Sequence, residues 1–171
     1  MAVPNTFGGV YLNFLSGASA TGAFAGWDFN PVGPDNLAFY WQSTPAASHG
    51  GVAAAAAGPF LDLAPGTTIS GASLFTATTD GATGSPFRTV GTHILGVRFF
   101  NEATSAINFG YVTIMTGANG FPATIVSYSY ENSGGAITIP VPEPATNALL
   151  AVAALALGAL GVRAWRRQRA A

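Results

Sequence analysis

Few side chains in this sequence of 171 residues can do chemistry, and their spacing decides how far each can be taken. His49 and His93 are its two histidines. Nucleophilic catalysis would need a serine and a carboxylate held against one of them. Ser48 adjoins His49, but chain neighbours rarely adopt triad geometry, and no Gly-x-Ser-x-Gly elbow is present. No His-Glu-x-x-His metal motif occurs either. Asp28, Asn30, Asp35 and Asn36 cluster in a turn region, where oxygen ligands would suit calcium. Their spacing matches no known calcium loop, and Asx turns account for them more simply. Pairing Asp62 with Glu102, or Asp80 with Glu131, as glycosidase acid and base is arbitrary among so few acids. Gly8-Gly9 and Gly134-Gly135 read as turns rather than phosphate loops, since no lysine exists to serve one. The expectation is a protein without catalytic residues, metal or cofactor. Trp27, Tyr40 and Trp41 form the remaining candidate, an aromatic platform for sugar rings. The competing use of those rings is to fill a small core.

Composition narrows the partners. Charged residues are only 8% of the chain, against roughly 25% in ordinary soluble domains. Before the C-terminal tail the only basic residues are Arg88 and Arg98, against six acids, which leaves about -4 on the body. That is no footprint for nucleic acid. Cysteine is absent, so disulfides, thiolate metal sites and a cysteine nucleophile are excluded.

The elements that must hold these residues read as strands between turns. Val10 to Leu15 places Val10, Leu12 and Phe14 on one face. Leu37 to Trp41 follows the turn signals Asn30-Pro31 and Gly33-Pro34. Thr68 to Thr78, His93 to Phe100, Phe109 to Met115, Ile125 to Tyr130 and Ala136 to Ile139 complete a series rich in β-branched and aromatic residues. Val52 to Ala57 predicts a short helix or, between Gly50-Gly51 and Gly58-Pro59, a flexible loop. The expected fold class is mainly β. Residues 1–140 form an antiparallel β-sandwich or jelly-roll-like ectodomain, followed by a single C-terminal transmembrane α-helix.

The tail, residues 141–171, has three blocks. Val141-Pro142-Glu143-Pro144 cannot continue a strand or helix. Residues 145–162 carry no charge. Residues 163–171 hold Arg163, Arg166, Arg167 and Arg169. Nineteen residues lie between Glu143 and Arg163, about 28 Å as a helix, which matches a bilayer core. The leucines and valines give only about -2 to -4 kcal/mol of insertion free energy, so the span is marginal and the arginines matter. By the positive-inside rule they stay cytoplasmic and place residues 1–140 outside. The first thirty residues show no basic or apolar signal region, and an upstream segment is therefore expected.

Proline-glutamate-proline, a short apolar span and a terminal arginine cluster together resemble the PEP-CTERM sorting signal. The resemblance implies an exosortase substrate of a Gram-negative-type cell. The protein would be anchored transiently in the inner membrane and cut near the motif by that cysteine transpeptidase-like enzyme. It would finish at the cell surface or in the extracellular matrix, with exopolysaccharide as a further partner. Glu143 would be a recognition contact. A softer likeness links Gly26 to Pro31, Phe109 to Val112 and Ile125 to Glu131 to other ectodomains with this signal, and it implies a β-sandwich without naming a ligand. A structural or matrix-associated role is the first expectation. A carbohydrate-binding or adhesive module with the same tail is the alternative.

Overall fold

The computed structural model describes residues 1–78 and 85–142. Met1–Ile139 makes one compact unit, and Pro140–Ala171 is a second. In the first unit the strands are β1 (Ala2–Val3), β2 (Tyr11–Leu12), β3 (Ser19–Ala20), β4 (Phe29–Val32), β5 (Ala38–Trp41) and β6 (Gly50–Val52). They continue as β7 (Thr68–Ile69), β8 (Phe75–Thr76), β9 (Gly91–Asn101), β10 (Ala106–Thr116), β11 (Ala123–Tyr130) and β12 (Ile137–Thr138). Every pairing is antiparallel. The chain is thus mainly antiparallel β, arranged in several sheets.

One sheet runs β1-β11-β10-β9-β6-β8, a second β3-β2-β4-β5, and a third pairs β12 with β7. The long strands β9, β10 and β11 are consecutive in sequence, so their pairing is local and sets the register of the largest sheet. Alternation along β9 divides its side chains. Leu95, Val97 and Phe99 join Leu12, Phe14, Phe29, Phe39 and Trp41 of the four-stranded sheet in the main core. Facing the other way, Ile94 packs with Phe109, Tyr111 and Val52 against Ile69 and Ile137 of the two-stranded ribbon. The six-stranded sheet is therefore apolar on both faces. Arg98 shares the second face, its guanidinium 5.0 Å from the centre of the Phe75 ring, and burial lowers its pKa from the usual arginine value.

Several sequence expectations change. Val10 to Leu15 contributes only Tyr11 and Leu12 to a strand, because Asn13 turns the chain and its Oδ1 accepts the Ser16 N–H at 2.7 Å. Thr68 to Thr78 splits into β7 and β8 at a turn where the Ser73 N–H donates to the Ser70 carbonyl. The Asn30-Pro31 signal lies inside β4 instead of a turn. The Pro31 carbonyl accepts from the Val10 N–H at 3.2 Å, so its nitrogen faces the same side and takes nothing from the β4–β5 ladder. Val52 to Ala57 forms no helix. Val52 closes β6, Ala53 bridges Phe60, and the alanines between them turn. Gly50-Gly51 is packed strand, since a Cβ on Gly51 would lie 2.7 Å from the Phe60 ring. Among the described residues no helix is long and apolar enough to cross a membrane. The expected span 145–162 lies outside them, with Glu143, Pro144, Arg163, Arg166, Arg167 and Arg169. Val141 and Pro142 are described, and Val141 is exposed.

Candidate functional site

The candidate site grows from the β4–β5 ladder. The register sets Asn30 opposite Tyr40 and Phe29 opposite Trp41. Facing partners lie on the same side of an antiparallel pair, so Asn30 and Tyr40 share one face while Phe29 and Trp41 share the core face. Trp27 precedes β4 and meets Tyr11 of β2 edge to face, ring centres 4.9 Å apart at 89°. Together with Phe7, these residues line a cleft of about 390 Å³. The three aromatics expected from sequence, Trp27, Tyr40 and Trp41, are thus brought together. Their exposures differ. Tyr40 is 52% exposed, Trp27 is half-buried, and Trp41 belongs to the main core against Phe29 and Phe60.

Phe7, Tyr11 and Asn30 complete the cleft and were not anticipated there. Phe7 stands 86% exposed on the loop after β1. That loop presses on β4 because Gly9 adopts φ +57°, and a Cβ there would meet the Pro31 carbonyl oxygen at 2.2 Å and Asn30 Oδ1 at 2.7 Å. Tyr11 had a readable signal, since alternation with Val10 and Leu12 places it off the core face. Phe7 had none beyond a large aromatic beside a glycine pair.

The cleft carries no ionisable acid or amine among its lining side chains. Its polar atoms are unusual. Asn30 and Trp41 are 2% and 7% exposed, and the buried atoms Asn30 Oδ1 and Trp41 Nε1 have no hydrogen-bond partner within the protein. Leaving such an atom unpaired costs about 1–3 kcal/mol. Two of the five orphan atoms found among the described residues belong to side chains that line this cleft, though the atoms themselves are covered.

Beside it lies an arrangement that the sequence reading discounted. Ser48 Oγ sits 2.8 Å from His49 Nδ1, and His49 Nε2 sits 3.0 Å from Asp28 Oδ1. Chain neighbours do here join a serine–histidine–aspartate chain. Asp28 Oδ2 also accepts the Phe14 N–H at 2.7 Å, and the Ser48 hydroxyl donates to the Pro45 carbonyl. A carboxylate only accepts, so His49 donates from Nε2. All three side chains are buried, with Asp28 fully covered. As placed, they tie the segment before β4 to the loop before β6.

The remaining candidates separate. Asp28 and Asn30 are buried, while the Asp35 N–H bonds Asn5 Oδ1 at 3.0 Å. Among the described residues no group of three histidine, aspartate or glutamate side chains converges as for a metal. Asp62 pairs with His93, Nδ1 to Oδ2 at 2.8 Å, rather than with Glu102. Asp80 lies outside the described residues. Glu131 accepts from the Ser133 hydroxyl and from the Ser133 and Gly135 N–H groups, and those bonds hold its carboxyl below the usual range.

No curated protein and no solved structure matches the chain. A family model described as the PEP-CTERM protein-sorting motif matches residues 140–168. Its span covers the proline-glutamate-proline block, the apolar run and the arginines up to Arg167. The chain therefore carries a PEP-CTERM protein-sorting motif, which indicates export with membrane-transit sorting and implies processing by exosortase.

Proposed function

We propose that this is a surface or matrix protein whose body is a β-sandwich carbohydrate-binding module without catalysis of its own. Its cleft holds it to exopolysaccharide after the tail has been processed. The observation that carries this reading is the cleft itself, where aromatic rings of graded exposure surround a polar floor. Sugar rings present apolar C–H faces to aromatics and hydroxyls to polar edges, and a site that mixes both suits them. A passive matrix component would have no reason to keep Phe7 and Tyr40 exposed on one concavity.

In this reading the apolar run 145–162 halts translocation, and Arg163, Arg166, Arg167 and Arg169 fix its orientation. Glu143 is a recognition contact for the exosortase. The proline block gives that enzyme an extended backbone.

Two measurements test the two halves. The mass of protein recovered from its native envelope or medium should end near Val141–Pro144, and Glu143→Ala should block that processing. A mature species that retains Arg169 would sink the sorting half. A glycan array probed with the full-length chain should show binding that falls at least tenfold in Trp27→Ala, the equivalent of about 1.4 kcal/mol. Binding that is absent, or indifferent to Trp27, would leave a structural role for the body.

A further inference from the structure

Resting on the reading of the cleft as a sugar site, we infer that its ligand is an internal stretch of a linear polysaccharide whose pyranoses are joined through equatorial bonds. The polymer lies across the strands of the four-stranded sheet. Two of its rings, separated by one residue between them, stack at Tyr11 with Trp27 and at Tyr40.

Register places these two anchors. Leu12 pairs with Phe29, and the Val10 N–H donates to the Pro31 carbonyl, so Tyr11 stands opposite Asn30. Asn30 pairs in turn with Tyr40, and Tyr11 pairs with Ala20. Facing residues of an antiparallel pair share a side. Ala20, Tyr11, Asn30 and Tyr40 therefore form one row across the sheet, on the side away from the core that Leu12, Phe29 and Trp41 fill. The positions of Tyr11 and Tyr40 are two strand separations apart, roughly 10 Å. No side chain has to move for a ring to reach either anchor. Tyr40 is exposed, Tyr11 and Trp27 are half-buried, and all three line the cleft.

A single pyranose is too small to cover both anchors. An extended chain advances by about one strand separation per pyranose. A sugar stacked at Tyr11 and Trp27 is thus followed by one over the buried Asn30 and by a third on Tyr40. Equatorial bonds on both sides turn each ring over relative to its neighbour, so every second ring offers the sheet the same apolar face. That alternation suits two aromatic anchors with a polar residue between them. An axial bond coils the chain and carries the third ring off the row. Neither end of the row is walled by its own residues. Ala20 is small and exposed, and β5 is the last strand of its sheet. A polymer therefore passes through the cleft instead of ending in it.

Isothermal titration calorimetry of the full-length chain, held in a zwitterionic sugar-free detergent, tests this. The probes are cello-, manno- and xylo-oligosaccharides of two to six residues, with the malto series as the axially linked match. In at least one equatorial series affinity should rise about tenfold from disaccharide to tetrasaccharide and then level off. Maltohexaose should bind about tenfold more weakly than the hexasaccharide of that series. Tyr40→Ala should weaken the hexasaccharide about three- to tenfold and leave the disaccharide within about twofold. Its melting temperature should stay level, since the ring is exposed. A hexasaccharide blocked at both ends should bind as tightly as the free one.

A disaccharide that binds as tightly as the hexasaccharide, with binding abolished by Trp27→Ala, would overturn the two-anchor span and leave the sugar site standing. A Tyr40→Ala loss that is equal at every length would do the same. Weaker binding once the ends are blocked would overturn the passage of an internal stretch. Maltohexaose binding as well as its equatorial counterpart would overturn the extended geometry. Failure of every probe, or binding untouched by both Trp27→Ala and Tyr40→Ala, would remove the sugar site and this inference with it.

Discussion

Among the described residues, two concavities lie beside a histidine tied to an aspartate, and they differ in almost everything else. The cleft on the four-stranded sheet is lined by aromatics and Asn30, with the Asp28–His49–Ser48 chain alongside. At the end of β9 and β10 a groove of about 290 Å³ is lined by Val90, Thr92, Met115, Thr116 and Pro122. There Asp62 pairs with His93, whose Nε2 donates to the Thr89 carbonyl at 3.1 Å, and the Thr116 hydroxyl donates to the same oxygen. Asp28 is fully covered, while the Asp62 side chain is 36% exposed. The groove offers mainly aliphatic side chains and satisfied polar groups. The cleft offers rings, and two residues that line it bury polar atoms without a partner in the protein. Size does not separate them; the polar atoms left unpaired do.

The largest effect should come from the buried tie. Asp28→Ala leaves the Phe14 N–H and His49 Nε2 without their acceptor inside the core. Breaking one partner of a buried pair costs about 3–5 kcal/mol. Asp62→Ala removes bonds to His93 and the Ile94 N–H at a site that water reaches, and it should cost about 1 kcal/mol. Urea unfolding of the two variants side by side checks the ratio. Equal losses would mean that burial does not set the difference between the two ties.

At the level of binding, the same contrast predicts a one-sided result. Met115→Ala and Val90→Ser alter exposed residues of the groove and should leave saccharide affinity within about twofold of the parent. Tyr40→Ala in the cleft should reduce it about three- to tenfold, since an exposed stacking ring contributes roughly 0.5–1.5 kcal/mol. A groove variant that abolished sugar binding would reverse the assignment of the two surfaces.

The sequence made the long strands legible and the short ones obscure. β9, β10 and β11 each carry enough alternating residues for their period to stand out, and their mutual pairing needs only local turns. β4 and β6 were hidden because Pro31 and Gly50-Gly51 carry turn chemistry in isolation. Only the tertiary neighbours, Val10 across from Pro31 and Phe60 over Gly51, make strands of them. The aromatic cleft was half legible. Trp27, Tyr40 and Trp41 announced themselves by type, but Phe7 and Tyr11 reach the site through the close approach that Gly9 permits. The Ser48–His49–Asp28 chain was unreadable, since a separation of 21 residues between His49 and Asp28 says nothing of their contact. The sorting tail was the clearest part, because its order of blocks is itself the signal.

A third carboxylate, partly covered by its own turn, extends the comparison beyond the two histidine ties. Glu131 closes the turn after β11 by accepting from the Ser133 hydroxyl at 2.7 Å and the Gly135 N–H at 2.8 Å. The Ser133 hydroxyl contributes most to holding its pKa below the ordinary carboxylate value. A carboxylate depressed on folding contributes stability that is fully present above its unfolded value of about 4.3 and is lost as pH falls through its lower folded value. The parent should therefore be more stable than Glu131→Gln at neutral pH, by a small margin, because water and salt screen a group that solvent reaches. That margin should shrink only below about pH 4.3 and vanish once the carboxyl is protonated. Melting temperatures of the two proteins between neutral pH and about pH 3 read it directly. A margin that persists unchanged in acid would show that the glutamine lacks something other than the charge, and the comparison of carboxylates would end at Asp62.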